Sequence, residues 1–213
     1  MRLGIFGGTF NPIHTGHLRA AEEVRYRCML DRIIFIPSGS PPLKTAGLAE
    51  AVHREAMTRC AISANANFDI SDIEMRNGDK SYTVNTVEKL HSVYSGEELF
   101  FIMGLDAFLD LPKWREPERI ISGIDFIVMT RPGSGSEDMR ESPYVEEIRP
   151  ARHPGISICA LKGGKKAYMV QVTAFDISST AIRQFTREGQ SIRYLLPDTV
   201  EEYIAANRLY KRS

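Results

Sequence analysis

Short apolar runs alternate with amphipathic stretches along this chain. Arg2–Gly7 is a brief apolar run ending in glycines, and it predicts a buried strand. Leu18–Leu30 sets Leu18, Ala21, Val24 and Cys28 at helical spacing. Arg32–Ile36 is a second apolar run, stopped by Pro37, and Ser38–Gly47 reads as a loop rich in Gly, Ser and Pro. Ala49–Ala64 returns to helix, with Val52, Ala56 and Cys60 on one face, and Phe68–Ile73 alternates as a half-covered or edge strand does. Thr83–Tyr94 reads as helix, Leu99–Met103 as strand, and Asp106–Leu111 and Glu116–Ser122 as short helices. Asp125–Thr130 is a fifth strand and Met169–Ala174 a sixth. Thr180–Arg187 and Thr199–Asn207 are closing helices, the second entered through Pro197.

Strands alternating with helices at this spacing predict βαβ units, and right-handed crossovers then place helices on both faces. The expected fold class is α/β, a doubly wound, mainly parallel sheet with helices on both faces and C-terminal helices. Residues 1–213 read as a single domain. Residues 133–167 break the rhythm with Gly, Ser, Pro and charges, and read as an insertion or flexible flap.

Composition narrows the function. Lys and Arg number 27 and so do Asp and Glu, and 43% of residues are hydrophobic, so disorder is excluded. A zero balance argues against nucleic acid as a partner but leaves room for a small phosphate ligand. It also permits a homo-oligomer. Cys28, Cys60 and Cys159 form no Cys-x-x-Cys pair, which points away from a disulfide framework or zinc cluster and towards a reducing, cytoplasmic compartment. Ile5–Phe10 is too short and glycine-rich for a signal peptide, and no apolar run approaches the roughly 18 residues that span a membrane.

The chemistry concentrates in Gly7-Gly8-Thr9-Phe10-Asn11-Pro12-Ile13-His14-Thr15-Gly16-His17, between the first strand and the first helix. Open α/β sheets bind ligands at that position, outside the carboxyl ends of their strands. Gly7 and Gly8 let backbone N–H groups approach an anion, and the helix N-terminus adds donors and partial positive charge. Thr15 is a plausible N-cap, so His14 and His17 would face the same anion. The segment is neither a dinucleotide fingerprint nor a Walker A loop. Its His-x-x-His spacing is a weak metal signal without a Cys or Glu ligand nearby, so no protein-held metal is expected. Near the other end, Ile177-Ser178-Ser179-Thr180-Ala181-Ile182-Arg183 reads either as a simple helix cap with a solvated arginine or as a second helix N-terminus aimed at the same anion, with Arg183 as a clamp.

Together these two segments resemble the paired signature of the HxGH nucleotidyltransferase superfamily. The stretches between them resemble its bacterial nicotinate-nucleotide adenylyltransferase branch: Ser40–Lys44, Ser81-Tyr82-Thr83, Gly104-Leu105-Asp106, Leu111-Pro112-Lys113-Trp114 and Ser191–Pro197. The resemblance covers the chain except Gly133–Lys166 and implies a Rossmann-like fold. It implies transfer of an adenylyl group from ATP to nicotinate mononucleotide, with Mg2+ bound mainly through the ATP phosphates. His14, His17 and Arg183 are the implied catalytic residues. Gly7, Gly8, Thr9, Phe10, Gly104, Asp106, Ser178, Ser179 and Thr180 join them as ATP-binding residues, with Asp106 on the ribose hydroxyls. Lys44, Thr83, Trp114 and Arg131 are the implied acceptor-binding residues, with Trp114 stacked on the pyridine ring. Asn85, Leu105 and Ala107 depart from the branch pattern, the last two at an expected adenosine wall. The competing readings are a related transferase with another phosphorylated acceptor, such as phosphopantetheine, and a nucleotide sensor without turnover.

Overall fold

The computed structural model describes residues 1–41, 47–75, 80–133, 135–151 and 155–211. In chain order the elements are β1 (Arg2–Gly8), α1 (Thr15–Arg27), β2 (Arg32–Pro37), α2 (Ala51–Ile62), β3 (Phe68–Ile70), α3 (Thr83–Val93), β4 (Glu98–Gly104) and α4 (Leu105–Leu109). A 3-10 turn (Leu111–Lys113) leads to α5 (Pro117–Gly123) and β5 (Asp125–Thr130). Then come α6 (Ser136–Met139), β6 (Val145–Pro150), β7 (Ile156–Leu161), β8 (Lys166–Gln171), α7 (Ser179–Glu188) and α8 (Asp198–Ala206).

The strands form one sheet in the order β3-β2-β1-β4-β5-β8-β7-β6. From β3 to β8 every neighbouring pair is parallel, whereas β7 and β6 are antiparallel to their neighbours. The two inner strands β1 and β4 are apolar and buried over most of their length, as strands covered on both faces must be. Gly4 shows how tightly they are covered: a Cβ there would lie 2.7 Å from methyl groups of both Ile102 and Ile33. One face packs on Val84, Val87 and Leu90 of α3, Phe108 of α4 and Ile120 and Ile121 of α5. The other packs on Val24 of α1, Met57 of α2, Ile182 of α7 and Val200 and Ile204 of α8. The chain winds outwards from β1 through β2 to β3, then returns to β4 on the far side of β1. The strand order therefore reverses between β1 and β4, where a crevice opens at their carboxyl ends.

Several boundaries differ from the sequence pattern for local reasons. β3 stops at Ile70 because a turn follows, closed by the Met75 N–H on the Asp72 carbonyl at 2.8 Å. The sixth parallel strand runs over Lys166–Gln171, three residues earlier than the pattern places it, and the Thr173 N–H beyond it donates to the Glu23 carboxylate at 2.8 Å. Residues 133–167, where the sequence shows no element, contain α6, β6 and β7. The glycine-lysine stretch there is the β7–β8 turn, with Gly163 and Gly164 at φ of +91° and +83°. β6 is a mostly exposed edge strand bearing Glu146, Glu147 and Arg149, so it lacks the apolar alternation that announces a strand. Among the described residues no helix is long and apolar enough to cross a membrane. Cys28, Cys60 and Cys159 are free thiols, and burial pushes those of Cys28 and Cys159 up to about 11, which leaves both protonated and inert.

Candidate active site

The loop between β1 and α1 is built around Phe10 and Asn11. Phe10 has a left-handed backbone (φ 45°), and its ring folds over Gly8, where a Cβ would approach it to 2.8 Å. That ring is 3% exposed and meets Phe6 edge to face at 5.7 Å. Phe10, expected to contact nucleotide, is therefore a core side chain that shapes the loop. Asn11 is buried and ties three segments together. Its Nδ2 donates to the Gly47 carbonyl (2.9 Å), and its Oδ1 accepts from the Ala49 N–H (3.1 Å) and the Tyr210 hydroxyl (2.8 Å).

The N-cap of α1 is His14, with extended φ and ψ of −147° and 170°, and not Thr15. Thr15 is already the first helical residue, and its N–H is occupied by the Leu195 carbonyl at 3.0 Å. His17, three residues past the cap, accepts the His14 N–H on its Nδ1 at 3.3 Å, which places the proton of the neutral ring on Nε2. The two imidazoles lie with centroids 3.7 Å apart and planes tilted by 30°. His14 is 7% exposed, and its buried Nδ1 has no hydrogen-bond partner among the described residues. Burial pushes it down to about 4, so this imidazole is neutral at physiological pH. Gly16 permits the arrangement, since a Cβ there would press on the His14 ring at 3.1 Å.

The distant second signature docks directly on the first. Ser178 caps α7 by accepting the Ala181 N–H at 3.1 Å, and the Ser179 hydroxyl donates to the Pro12 carbonyl at 2.8 Å. Arg183 donates from Nη1 to the Asn11 carbonyl at 2.8 Å and from Nη2 to the Thr180 hydroxyl at 3.3 Å. Burial lowers the guanidinium's pKa.

Two cavities flank this junction. The first, about 400 Å3, is lined by Phe6, His14, His17, Gly104, Arg131, Ser178, Ser179 and Thr180. The second, about 230 Å3, is lined by Gly7, Gly8, Thr9, Thr83, Ala107 and Trp114, again with Phe6 and Gly104. Phe6 and Gly104 are shared, so the two are halves of one cleft across the ends of β1 and β4. Imidazoles and helix-cap hydroxyls thus gather in one half, and Thr83 and Trp114 in the other. Gly7, Gly8 and Thr9, read as nucleotide contacts, line the half that holds Trp114. Arg131, read as an acceptor contact, lines the half that holds the histidines, because it follows β5 on the opposite side of β4. Arg183 lines neither half and is held on the Asn11 carbonyl. Asp106 is exposed in the first turn of α4, whose N-cap is Gly104. Leu105 is buried in the core, and Ala107 faces the Trp114 half, so neither forms a wall of the histidine half. Lys44 lies outside the described residues. Among the described residues no group of three or more His, Cys, Asp or Glu side chains could hold a metal ion.

Four further residues shape the cleft without any signal in the sequence pattern. Arg54 is fully buried in α2 and donates to the carbonyls of Ala49 (3.0 Å), Thr9 (3.0 Å) and Gly39 (2.8 Å). Glu74 lines the second cavity, Tyr210 reaches Asn11 from beyond α8, and Phe175 exposes an aromatic face at the first cavity. Charged residues at such spacing read as solvated faces, and a single aromatic reads as packing; only tertiary placement separates them.

Residues 5–185 match the cytidylyltransferase-like family. Over 99% of this chain and 98% of the relative, it is 45% identical to a probable nicotinate-nucleotide adenylyltransferase of Geotalea daltonii. It is also 45% identical to the protein of the same description in Desulfatibacillum aliphaticivorans, over 99% of this chain and all of that one. Among solved structures, the fold is similar to that of Plasmodium falciparum nicotinic acid mononucleotide adenylyltransferase complexed with NaAD. The TM-score is 0.75 at 18% identity, covering 98% of this chain and 97% of that one.

Proposed function

Because the chain belongs to the cytidylyltransferase-like family and, within it, to the nicotinate-nucleotide adenylyltransferases, we propose that its cleft transfers AMP from ATP to nicotinate mononucleotide, a step of NAD biosynthesis in the cytoplasm. The observation that carries the reading is the stacked pair of imidazoles in one half of the cleft, one of them with a buried nitrogen that has no partner among the described residues. ATP occupies the histidine half, its phosphates beside His14, His17 and the Ser178–Thr180 cap. Nicotinate mononucleotide occupies the other half, its ring on Trp114 and its carboxylate at Thr83 and the start of α3.

The acceptor phosphate is already anionic, so its attack needs no strong general base. A phosphate oxygen of the mononucleotide bonds to the α-phosphorus as the bond to the bridging oxygen breaks, and pyrophosphate leaves. The protein brings two anions together and stabilises charge at the α-phosphoryl group, by positioning and fixed donors. His17 supplies an Nε2–H donor whose tautomer is set by the His14 N–H. His14, neutral and desolvated, accepts the approach of an anion without needing to shed a solvent shell. Arg183 braces the loop through Asn11 and adds a positive charge behind it. Mg2+ carried on the triphosphate would neutralise part of the phosphate charge when bound. The carboxylate of the acceptor gives a better partner for helix N–H groups than an amide does, so nicotinamide mononucleotide is the poorer substrate.

The test is a panel of acceptors with ATP and magnesium, reading pyrophosphate release. Nicotinate mononucleotide gives the highest kcat/KM. Release only with phosphopantetheine or another phosphate ester contradicts the acceptor. Tight ATP binding with no release from any acceptor supports a sensor instead.

A further inference from the structure

We infer that Glu74 is a positioning residue for acceptor binding: its carboxylate, bonded to Thr86 and facing Ser38 and Ser81, fixes the start of α3 at the second cavity. This inference rests on the acceptor reading of that cavity. Glu74 lines the cavity together with Thr83 and Trp114. Thr86 Oγ1, one turn into α3, donates to Glu74 Oε1 at 2.8 Å. Ser81, just before α3, and Ser38, just after β2, line the same cavity, and their hydroxyls favour the ionised form of its carboxyl group. Ser81 and Thr86 bracket Thr83, so one side chain acts on both flanks of the residue that faces the ligand.

The backbone of Glu74 is fixed as firmly. A Cβ at Gly39 would come within 2.3 Å of the Glu74 carbonyl oxygen, so only glycine fits beneath it. The Gly39 carbonyl in turn receives Arg54 Nη2 at 2.8 Å. Burial raises the pKa of the Glu74 carboxyl group above the usual range, although the hydroxyls of Thr86, Ser81 and Ser38 pull it the other way. A desolvated carboxylate is a costly way to join loops, and apolar packing would serve stability as well. What the carboxylate supplies is direction: its bond to Thr86 and its attraction for the Ser38 and Ser81 hydroxyls favour one orientation of α3 at the cavity wall.

Trp114 is the only tryptophan of the chain and lines the same cavity, so its fluorescence reads acceptor entry without turnover. Nicotinate mononucleotide is titrated into the wild type, Glu74→Ala, Glu74→Asp and Glu74→Gln, with ATP affinity measured in parallel by calorimetry. Glu74→Ala weakens mononucleotide binding about 10-fold and leaves ATP affinity within about 2-fold. Glu74→Asp, too short to keep the bond to Thr86, weakens it in the same direction and carries the test if the alanine variant does not fold. Glu74→Gln keeps the length and one acceptor oxygen and restores most of the affinity. Equal weakening of both ligands, or unchanged mononucleotide binding in folded Glu74→Ala or Glu74→Asp, overturns the inference. Mononucleotide quenching in a wild type that releases no pyrophosphate defeats the transferase reading but not this one. No quenching in the wild type defeats this one.

Discussion

The two halves of the cleft are built in opposite ways. The histidine half draws chiefly on two contiguous signatures, each a loop leading into a helix, that bond directly through Ser179–Pro12 and Arg183–Asn11, with Gly104 and Arg131 added from the ends of β4 and β5. The Trp114 half joins the Gly7–Thr9 end of the first signature to residues scattered over β4, α3, α4 and the segments that follow β2 and the 3-10 turn, braced by the buried Arg54 and by Glu74. The difference fits the chemistry. A polyphosphate is recognised by closely spaced donors, which neighbouring residues of one loop can supply. An aromatic acceptor needs a slot with separate walls, and those walls must come from several segments that something else holds in register.

The sharpest way to break this contrast is His17→Ala. Removal of a fixed donor from the reacting phosphate lowers turnover by about 10²–10³-fold, as for other preorganised donors, while thermal stability changes little. Steady-state kinetics and a melt check both, and an unchanged rate removes His17 from the chemistry.

Next in size is the pH response of His14. In the unfolded chain it takes up a proton near pH 6.5, in the folded chain only near 4. Between those values the unfolded state binds more protons, so stability is fully present above pH 6.5 and falls as pH drops towards 4. The loss amounts to about 3 kcal/mol. Denaturant melts of the wild type and His14→Asn across this range check it, since the variant lacks that part of the acid limb.

Trp114→Ala belongs to the other half and has a different signature. It raises KM for nicotinate mononucleotide about 10-fold, the worth of a lost aromatic stack, and leaves KM for ATP unchanged. Unfolding with ATP affinity retained would instead make Trp114 a packing residue. The smallest effect lies away from both halves. Gly164→Ala, at φ +83° with open space around it, costs about 1 kcal/mol of stability and alters neither KM.

The same contrast explains what the sequence shows. The parallel strands and their helices are legible because a strand covered on both faces is a continuous apolar run, as in Leu99–Met103. The β6–β7 hairpin is hidden because an edge strand carries charges, as Glu146, Glu147 and Arg149 do. Likewise the histidine half is visible in two short segments, although their details are not. Phe10 turns into the core because its backbone is left-handed, and His14 takes the cap that Thr15 suggests. Arg131 falls in the histidine half because strand order, which no local pattern contains, sets which side of β4 it follows. Glu74 and Tyr210 carry no local sign at all, since their partners lie 12 and 199 residues away.

In the proposed complex the ATP phosphates lie at the imidazole pair and the acceptor lies beside them in the Trp114 half. A crystal structure with a non-hydrolysable ATP analogue and nicotinate mononucleotide tests it most directly. The expected result is the α-phosphate within about 3 Å of His17 Nε2 and the pyridine ring on Trp114. An adenine ring on Trp114, or phosphates bound away from both histidines, would contradict it.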